Sequence, residues 1–194
     1  EIVMFRSSHG IYAFKNNIGL NVEKELMAEL AKLPANFPVC KFLYQASELQ
    51  YILPKQHNQE RNMTRYFQYE FLEAKEFFQM GTMQYLFEEK FSDGKILALV
   101  SGEEIDKEKV RQKLKELQDG RVVVLVPKEP FGSLQQLKKL AVISAMKKKP
   151  KFMEENQVLL RELELYEEDI IFEINVSLER DFVPGNSGCH VCYK

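Results

Sequence analysis

Lys95-Ile96-Leu97-Ala98-Leu99-Val100 and Arg121-Val122-Val123-Val124-Leu125-Val126 decide the fold. Each is a nearly unbroken apolar run, the pattern of a strand buried on both faces. Between them Ser101-Gly102 turns the chain. Residues 105–118 then place Ile105, Val110, Leu114 and Leu117 on one helical face, and Asp119-Gly120 ends that helix. Strand, helix and strand within about 30 residues make a βαβ unit, so two parallel neighbours with a right-handed crossover are expected.

Upstream, strict alternation begins at Arg65, with Phe67, Tyr69 and Phe71 on one face and Tyr66, Gln68 and Glu70 on the other. This reads as a strand with one face in the core. Before it, residues 54–62 carry no apolar side chain except Pro54 and read as a polar loop. Residues 2–7 and 11–14 read as strands around a Ser8-His9-Gly10 turn. A helix is expected over 22–33, a short strand over 39–44 and a short helix around 46–52. Residues 75–91, rich in Phe, Met and Tyr, read as helical, and Ser92-Asp93-Gly94 as the turn that ends them.

Downstream, Ser133 is placed to cap a helix over 134–148 with Leu134, Leu137, Leu140, Ala141 and Ala145 inward. Pro150 interrupts, and a long helix over 154–181 carries Leu159, Leu163, Tyr166, Ile170, Ile174 and Leu178 as a stripe. Residues 133–151 hold six lysines and no acid, whereas 154–181 hold ten acids and two arginines. Opposite charge on adjacent helices predicts an antiparallel hairpin. The fold class is therefore α/β: a mixed sheet with a central parallel βαβ unit (95–100 and 121–126), flanked by the 22–33 and 105–118 helices, and a C-terminal helical hairpin. A single domain over 1–182 is expected, with a sub-boundary near 92–94 as the alternative, and 183–194 as a tail.

The 194 residues carry 27 Lys and Arg against 29 Asp and Glu, a formal charge of −2, with 45% hydrophobic and 29% charged residues. These globular proportions argue against disorder. Near neutrality excludes a generally basic nucleic-acid coat and broad attraction to acidic membranes. No apolar run approaches the ~18–20 residues of a bilayer span. Three cysteines leave at least one unpaired, which fits a reducing cytoplasm. The sequence opens on Glu1-Ile2-Val3 without a signal pattern and closes within Gly188-Cys189-His190-Val191-Cys192, so both ends read as cuts through a longer polypeptide.

Familiar catalytic signatures do not occur. There is no Gly-x-x-x-x-Gly-Lys-[Ser/Thr], Gly-x-Gly-x-x-Gly, His-Glu-x-x-His or Gly-x-Ser-x-Gly, and His9, His57 and His190 lie far apart. Catalytic residues are therefore not assigned, and activity in this stretch is not expected. Three candidate sites remain. His57, Asn58 and Arg65, around the polar loop and strand entrance, can contact a neighbouring domain or a ligand, with an arginine fork suited to carboxylate or phosphate; an edge salt bridge that fixes the loop competes with this. Lys147, Lys148 and Lys149 can contact nucleic acid, or serve as a solvated helix end that suits the helix dipole. Cys189-x-x-Cys192 has the spacing of half a zinc site, to be completed by ligands beyond Lys194 or by Cys40 with His9 or His57; free thiols and a redox pair are the other readings.

The segment His57-Asn58-Gln59-Glu60-Arg61-Asn62-Met63-Thr64-Arg65-Tyr66-Phe67 precedes the βαβ unit ending Val122-Val123-Val124-Leu125-Val126-Pro127-Lys128. A helix near Leu134 follows, and then Asn156-x-Val158-Leu159-x-Arg161-Glu162-Leu163-Glu164. Over roughly residues 50–182 this succession resembles a region downstream of the nucleotide-binding core in BrxC-like large P-loop ATPases of bacterial BREX phage-defence systems. The resemblance implies an accessory, non-catalytic interaction or regulatory domain of a multidomain ATPase. Its partners would be neighbouring domains of the same polypeptide and other defence-system subunits. ATP and Mg are implied for the parent protein, whose Walker motifs lie outside this chain. Two other classes compete: a nucleic-acid module using the lysines and a partial zinc knuckle, and a small Rossmann-like enzyme with Ser101-Gly102 and Pro127-Lys128 lining a crevice at the strand ends.

Overall fold

The computed structural model describes residues 2–6, 8–15, 22–34, 37–47, 49–82, 92–149, 157–183 and 188–193. Its strands are β1 (Ile2–Arg6), β2 (Ile11–Lys15), β3 (Tyr51–Ile52), β4 (Phe67–Glu73), β5 (Gly94–Val100), β6 (Val122–Pro127) and β7 (Cys189–Cys192). Its helices are α1 (Val22–Leu30), α2 (Val39–Ala46), α3 (Lys55–Arg61), α4 (Ala74–Gln79), α5 (Lys107–Leu117), α6 (Leu134–Lys147) and α7 (Gln157–Phe182). Among the described residues no helix is long and apolar enough to cross a membrane. The chain divides into two compact units, Glu1–Phe42 with Ser133–Ser177 and Leu43–Gly132 with Leu178–Lys194, where the sequence reading has one domain.

The second unit holds a five-stranded mixed sheet in the order β3-β4-β5-β6-β7. The pairs β4–β5 and β5–β6 are parallel, with Tyr69 opposite Ile96 and Ile96 opposite Val123; β3 and β7 run antiparallel at the edges. The central βαβ unit is thus present as expected, and β4 extends its parallel run to three strands. Every residue of β5 is buried, as its apolar run Ile96–Val100 requires, and Lys95 is buried with them. One face of the sheet packs Leu97, Leu99, Val122, Val124 and Val126 against Val110 and Leu114 of α5 and Phe77 of α4. Asp106 caps α5 by accepting from the Glu108 and Lys109 amides, and Gln118 in the left-handed region ends it. On the other face Tyr69 and Phe71 meet Phe182, and the Tyr69 hydroxyl donates to the Phe182 carbonyl at 2.5 Å. Burial holds that phenol protonated far above its usual range.

The first unit contains the β1–β2 hairpin, antiparallel with Phe5 opposite Tyr12, and α6 with α7 as far as Ser177. Ser133 donates to the Ser177 hydroxyl at 2.8 Å, and Lys147 bonds Glu167 at 2.7 Å, so α6 and α7 run antiparallel. The C-terminal hairpin expected from their opposite charge is formed. Leu163, Ile170, Ile174 and Leu178 are buried, as the stripe predicts.

Several elements differ from the sequence reading. Residues 39–46 are helical, because Leu43 and Ala46 are buried one turn apart, and Phe37 stacks on Phe42 at 5.0 Å. Residues 51–52 form a strand where a helix is expected, and the polar stretch 54–62 holds α3. Instead of flanking the sheet, α1 packs with α6 in the first unit. Ser133 makes no cap bond, and Ala145 is exposed; Val142, Ile143 and Met146 are buried in α6. Residues 188–192 are not a tail, since β7 pairs with β6. The expected helical stretch 83–91, the helix start at 154–156 and the Leu159 side chain lie outside what is described.

Candidate functional site

Lys55-Gln56-His57-Asn58-Gln59-Glu60-Arg61 folds as a helix with no buried residue. Without an apolar stripe, its ends and local polar bonds must fix it. Gln56 donates to Glu60 at 2.9 Å, one turn on. Asn62 sits at φ 53°, ψ 44°, a left-handed position that asparagine tolerates, and the Met63 amide closes the helix on the Asn58 carbonyl at 3.1 Å. Asn58 then clamps the strand entrance: its side-chain amide donates to the Arg65 carbonyl at 2.8 Å and its carbonyl accepts the Arg65 amide at 3.0 Å.

Arg65 Nη1 reaches Asp93 at 3.1 Å, and the second Asp93 oxygen takes the Tyr66 amide at 3.1 Å. The structure therefore brings Asn58 and Arg65 together, with the loop-fixing ion pair in place, while His57 stays exposed on α3. Beside them Tyr51 and Tyr66 meet edge to face at 5.7 Å, and Tyr51, Leu53 and Met63 are exposed.

A second polar cluster has no counterpart in the sequence reading. Arg6 is buried and binds Asp169 and Glu168 at 3.0 Å each. Ser8 donates to Asp169 through its hydroxyl at 2.5 Å and its amide at 3.1 Å, and the same hydroxyl lies 2.8 Å from His9 Nδ1. Burial by itself would raise the Asp169 pKa; the Ser8 and Arg6 hydrogen bonds and the Arg6 charge reverse this and hold it below 3.8. A carboxylate depressed in the folded state contributes stability above its unfolded pKa and loses it as pH falls. The stability gap between the native chain and Asp169→Asn is accordingly expected at pH 7 and should close as pH falls through and below about 3.8, read by urea unfolding at each pH.

The other candidates are taken up by the chain itself. Alternation along β7 sends Cys189 and Cys192 to opposite faces of the sheet, so the pair does not present two sulfurs to one metal ion. The Cys189 thiol donates to the Val183 carbonyl at 3.4 Å, and Cys192 lies among Val124, Val110 and Leu114. Burial pushes both thiols up. Among the described residues no group of three or more His, Cys, Asp and Glu side chains gathers for a metal. Lys147 bonds Glu167 and Lys149 lies 3.5 Å from Glu29, while the Lys148 side chain is exposed.

At the carboxyl ends of the parallel strands, the Ser101 carbonyl accepts the Phe131 amide at 2.9 Å, and the Ser101 hydroxyl accepts the Glu103 amide at 3.0 Å. Phe131 is buried against Phe182, and the Lys128 amide binds the Gly188 carbonyl at 2.8 Å. The sequential order β4-β5-β6 leaves no switch point between these strands, and the groups expected to line a crevice hold the chain's own backbone. Comparison with family models, curated proteins and solved structures finds no match to this chain.

Proposed function

We propose that the chain is a non-catalytic interaction and regulatory domain of a larger multidomain ATPase of bacterial phage defence, with α3 and the adjoining β3–β4 edge as its contact surface. The observation that carries this reading is that α3 buries none of its residues and is nevertheless held by a doubly bonded Asn58 and a left-handed Asn62. A helix that adds nothing to a core, but is fixed in place, is suited to presenting its surface to another molecule. Exposed Tyr51 and Met63 with half-exposed Arg65 give that surface the residue types enriched in protein interfaces. The ATPase context rests on the resemblance over residues 50–182. On this reading ATP and Mg belong to the parent protein, and its neighbouring domains and other defence subunits are the partners.

His57→Glu combined with Arg61→Glu in the full-length protein tests this. Both side chains are exposed, so the unfolding free energy of the 194-residue chain should change by no more than about 0.5 kcal/mol. The ATPase rate or the amount of assembled complex should fall by at least about fivefold. Unchanged rate and unchanged complex size would remove the reading.

A further inference from the structure

The inner ladder of β7 fixes what its outer edge offers. The Lys128 amide binds the Gly188 carbonyl at 2.8 Å, which makes Lys128 and Gly188 a hydrogen-bonded pair of the antiparallel ladder. Such pairs recur at every second residue, so Val126–His190 and Val124–Cys192 bond in the same way. The backbone N–H and C=O groups of Cys189 and Val191 therefore point away from β6. Among the described residues no strand pairs with that side of β7, the last in the sheet order.

Side-chain alternation sorts the two faces beside this edge. Cys192 lies with Val124, Val126, Val110 and Leu114 on the α5 side, so His190 and Lys128 share that side by register. Lys107 and Arg111, one turn apart on α5, border the helix face that Val110 and Leu114 turn to the sheet. After burial, the charges of Lys107, Lys128 and Arg111 are what lower the His190 pKa. Glu108 binds Arg111 at 2.6 Å, but both side chains are exposed, and such a pair contributes little. On the opposite face Val191 is 38% exposed.

We propose that the outer edge of β7 takes up an extended segment of a partner protein as a further strand, with acidic residues at alternate positions and an apolar residue between them. The residues set opposite His190 and Cys192 face the cations, and the one between them covers Val191. A second copy of β7 is disfavoured here, because pairing strand to strand brings two sets of Lys107, Arg111 and Lys128 together. Only Cys189 and Val191 offer outward backbone groups, so the affinity is modest, with a dissociation constant of about 100 µM.

Fluorescence anisotropy of a labelled Gly-Ser-Glu-Val-Glu-Ser-Gly peptide, titrated with the 194-residue chain, tests this. Binding near 100 µM at about 50 mM salt should weaken at least about fivefold at about 500 mM. Methylating the backbone nitrogens of Glu, Val and Glu keeps the charge but removes the strand's donors, and should abolish binding. Lys107→Glu combined with Arg111→Glu should weaken binding at least about fivefold. Lys41→Glu combined with Lys75→Glu, an equal charge change on exposed lysines of α2 and α4, should leave it within about twofold of native. No peptide binding at about 1 mM chain, equal binding of the methylated peptide, or equal loss in the two double variants overturns the proposal. So does tighter binding of an oligothymidylate of about ten nucleotides, which makes the surface one for nucleic acid, or self-association of the chain that excludes the peptide. If circular dichroism shows the Lys107→Glu, Arg111→Glu variant unfolded, the methylated peptide on the native chain decides, and undiminished binding overturns the proposal.

Discussion

Gly94→Ala is expected to destabilise the sheet-bearing unit by about 3 kcal/mol, at the upper end of what an added methyl costs in a packed core. A Cβ at this position would stand 2.5 Å from the Arg121 carbonyl oxygen and 2.7 Å from the Phe67 ring. The ring can rotate away, but the carbonyl cannot, because it accepts the Lys95 amide at 2.9 Å at the point where β5 meets β6. The added methyl therefore forces the central parallel pair apart at one end. Gly120→Ala is the matched control, since a Cβ there meets nothing within 4 Å. Urea unfolding midpoints of the two variants should differ clearly, and similar midpoints would show that the strand junction is softer than its geometry implies.

The pair Lys95–Glu70 gives the second large effect. Lys95 lies within an otherwise apolar strand, on the side of Leu97 and Leu99, and its ammonium is held by the Glu70 carboxylate of β4. Glu70→Ala leaves a buried cation without its partner. Fully buried pairs lose about 3–5 kcal/mol when broken in this way. About a quarter of the Glu70 side chain reaches solvent, so water can partly replace it, and about 2 kcal/mol is expected. Lys95→Met removes the charge together with its desolvation penalty and is expected to change stability by no more than about 1 kcal/mol in either direction. The asymmetry is the prediction: equal losses in the two variants, measured by urea unfolding, would contradict it.

The parts of the fold that were legible in the sequence are those where burial is continuous or strictly periodic. Residues 95–100 and 121–126 could satisfy their apolar runs only inside a sheet, and Val110 and Leu114 could only face it. The lysine-rich and acidic helices declared their pairing through charge, and Lys147–Glu167 realises it. Pattern failed where a few local bonds decide the conformation. Nothing apolar marks α3; its signals were Asn62 as a left-handed stop and the Gln56–Glu60 spacing, both readable and both weaker than the absence of a stripe. In residues 39–46 a short apolar run fits strand or helix equally, and burial of Leu43 and Ala46 on one side settled it.

Of the candidate sites, the Asn58–Arg65 link could be suspected from two polar residues around a strand entrance, although its bonding partner Asp93 lies 28 residues from Arg65. The Arg6–Asp169 contact spans 163 residues, and no local pattern carries such a pairing. Cys189 and Cys192 suggested a metal by their spacing, a reading that assumes a turn; in a strand the same interval separates the sulfurs.

Each unit is assembled from two stretches that are distant in the chain: the first needs residues up to Ser177, and the second needs residues beyond Leu178. During synthesis on a ribosome, neither can be finished by the portion that emerges first. The nascent polypeptide must carry β5 and β6 while β7, which covers one side of β6, is still to be translated. A premature stop shortly before Cys189 would accordingly release a product whose sheet ends in an uncovered rim, an invitation to clumping and to clearance by quality-control proteases.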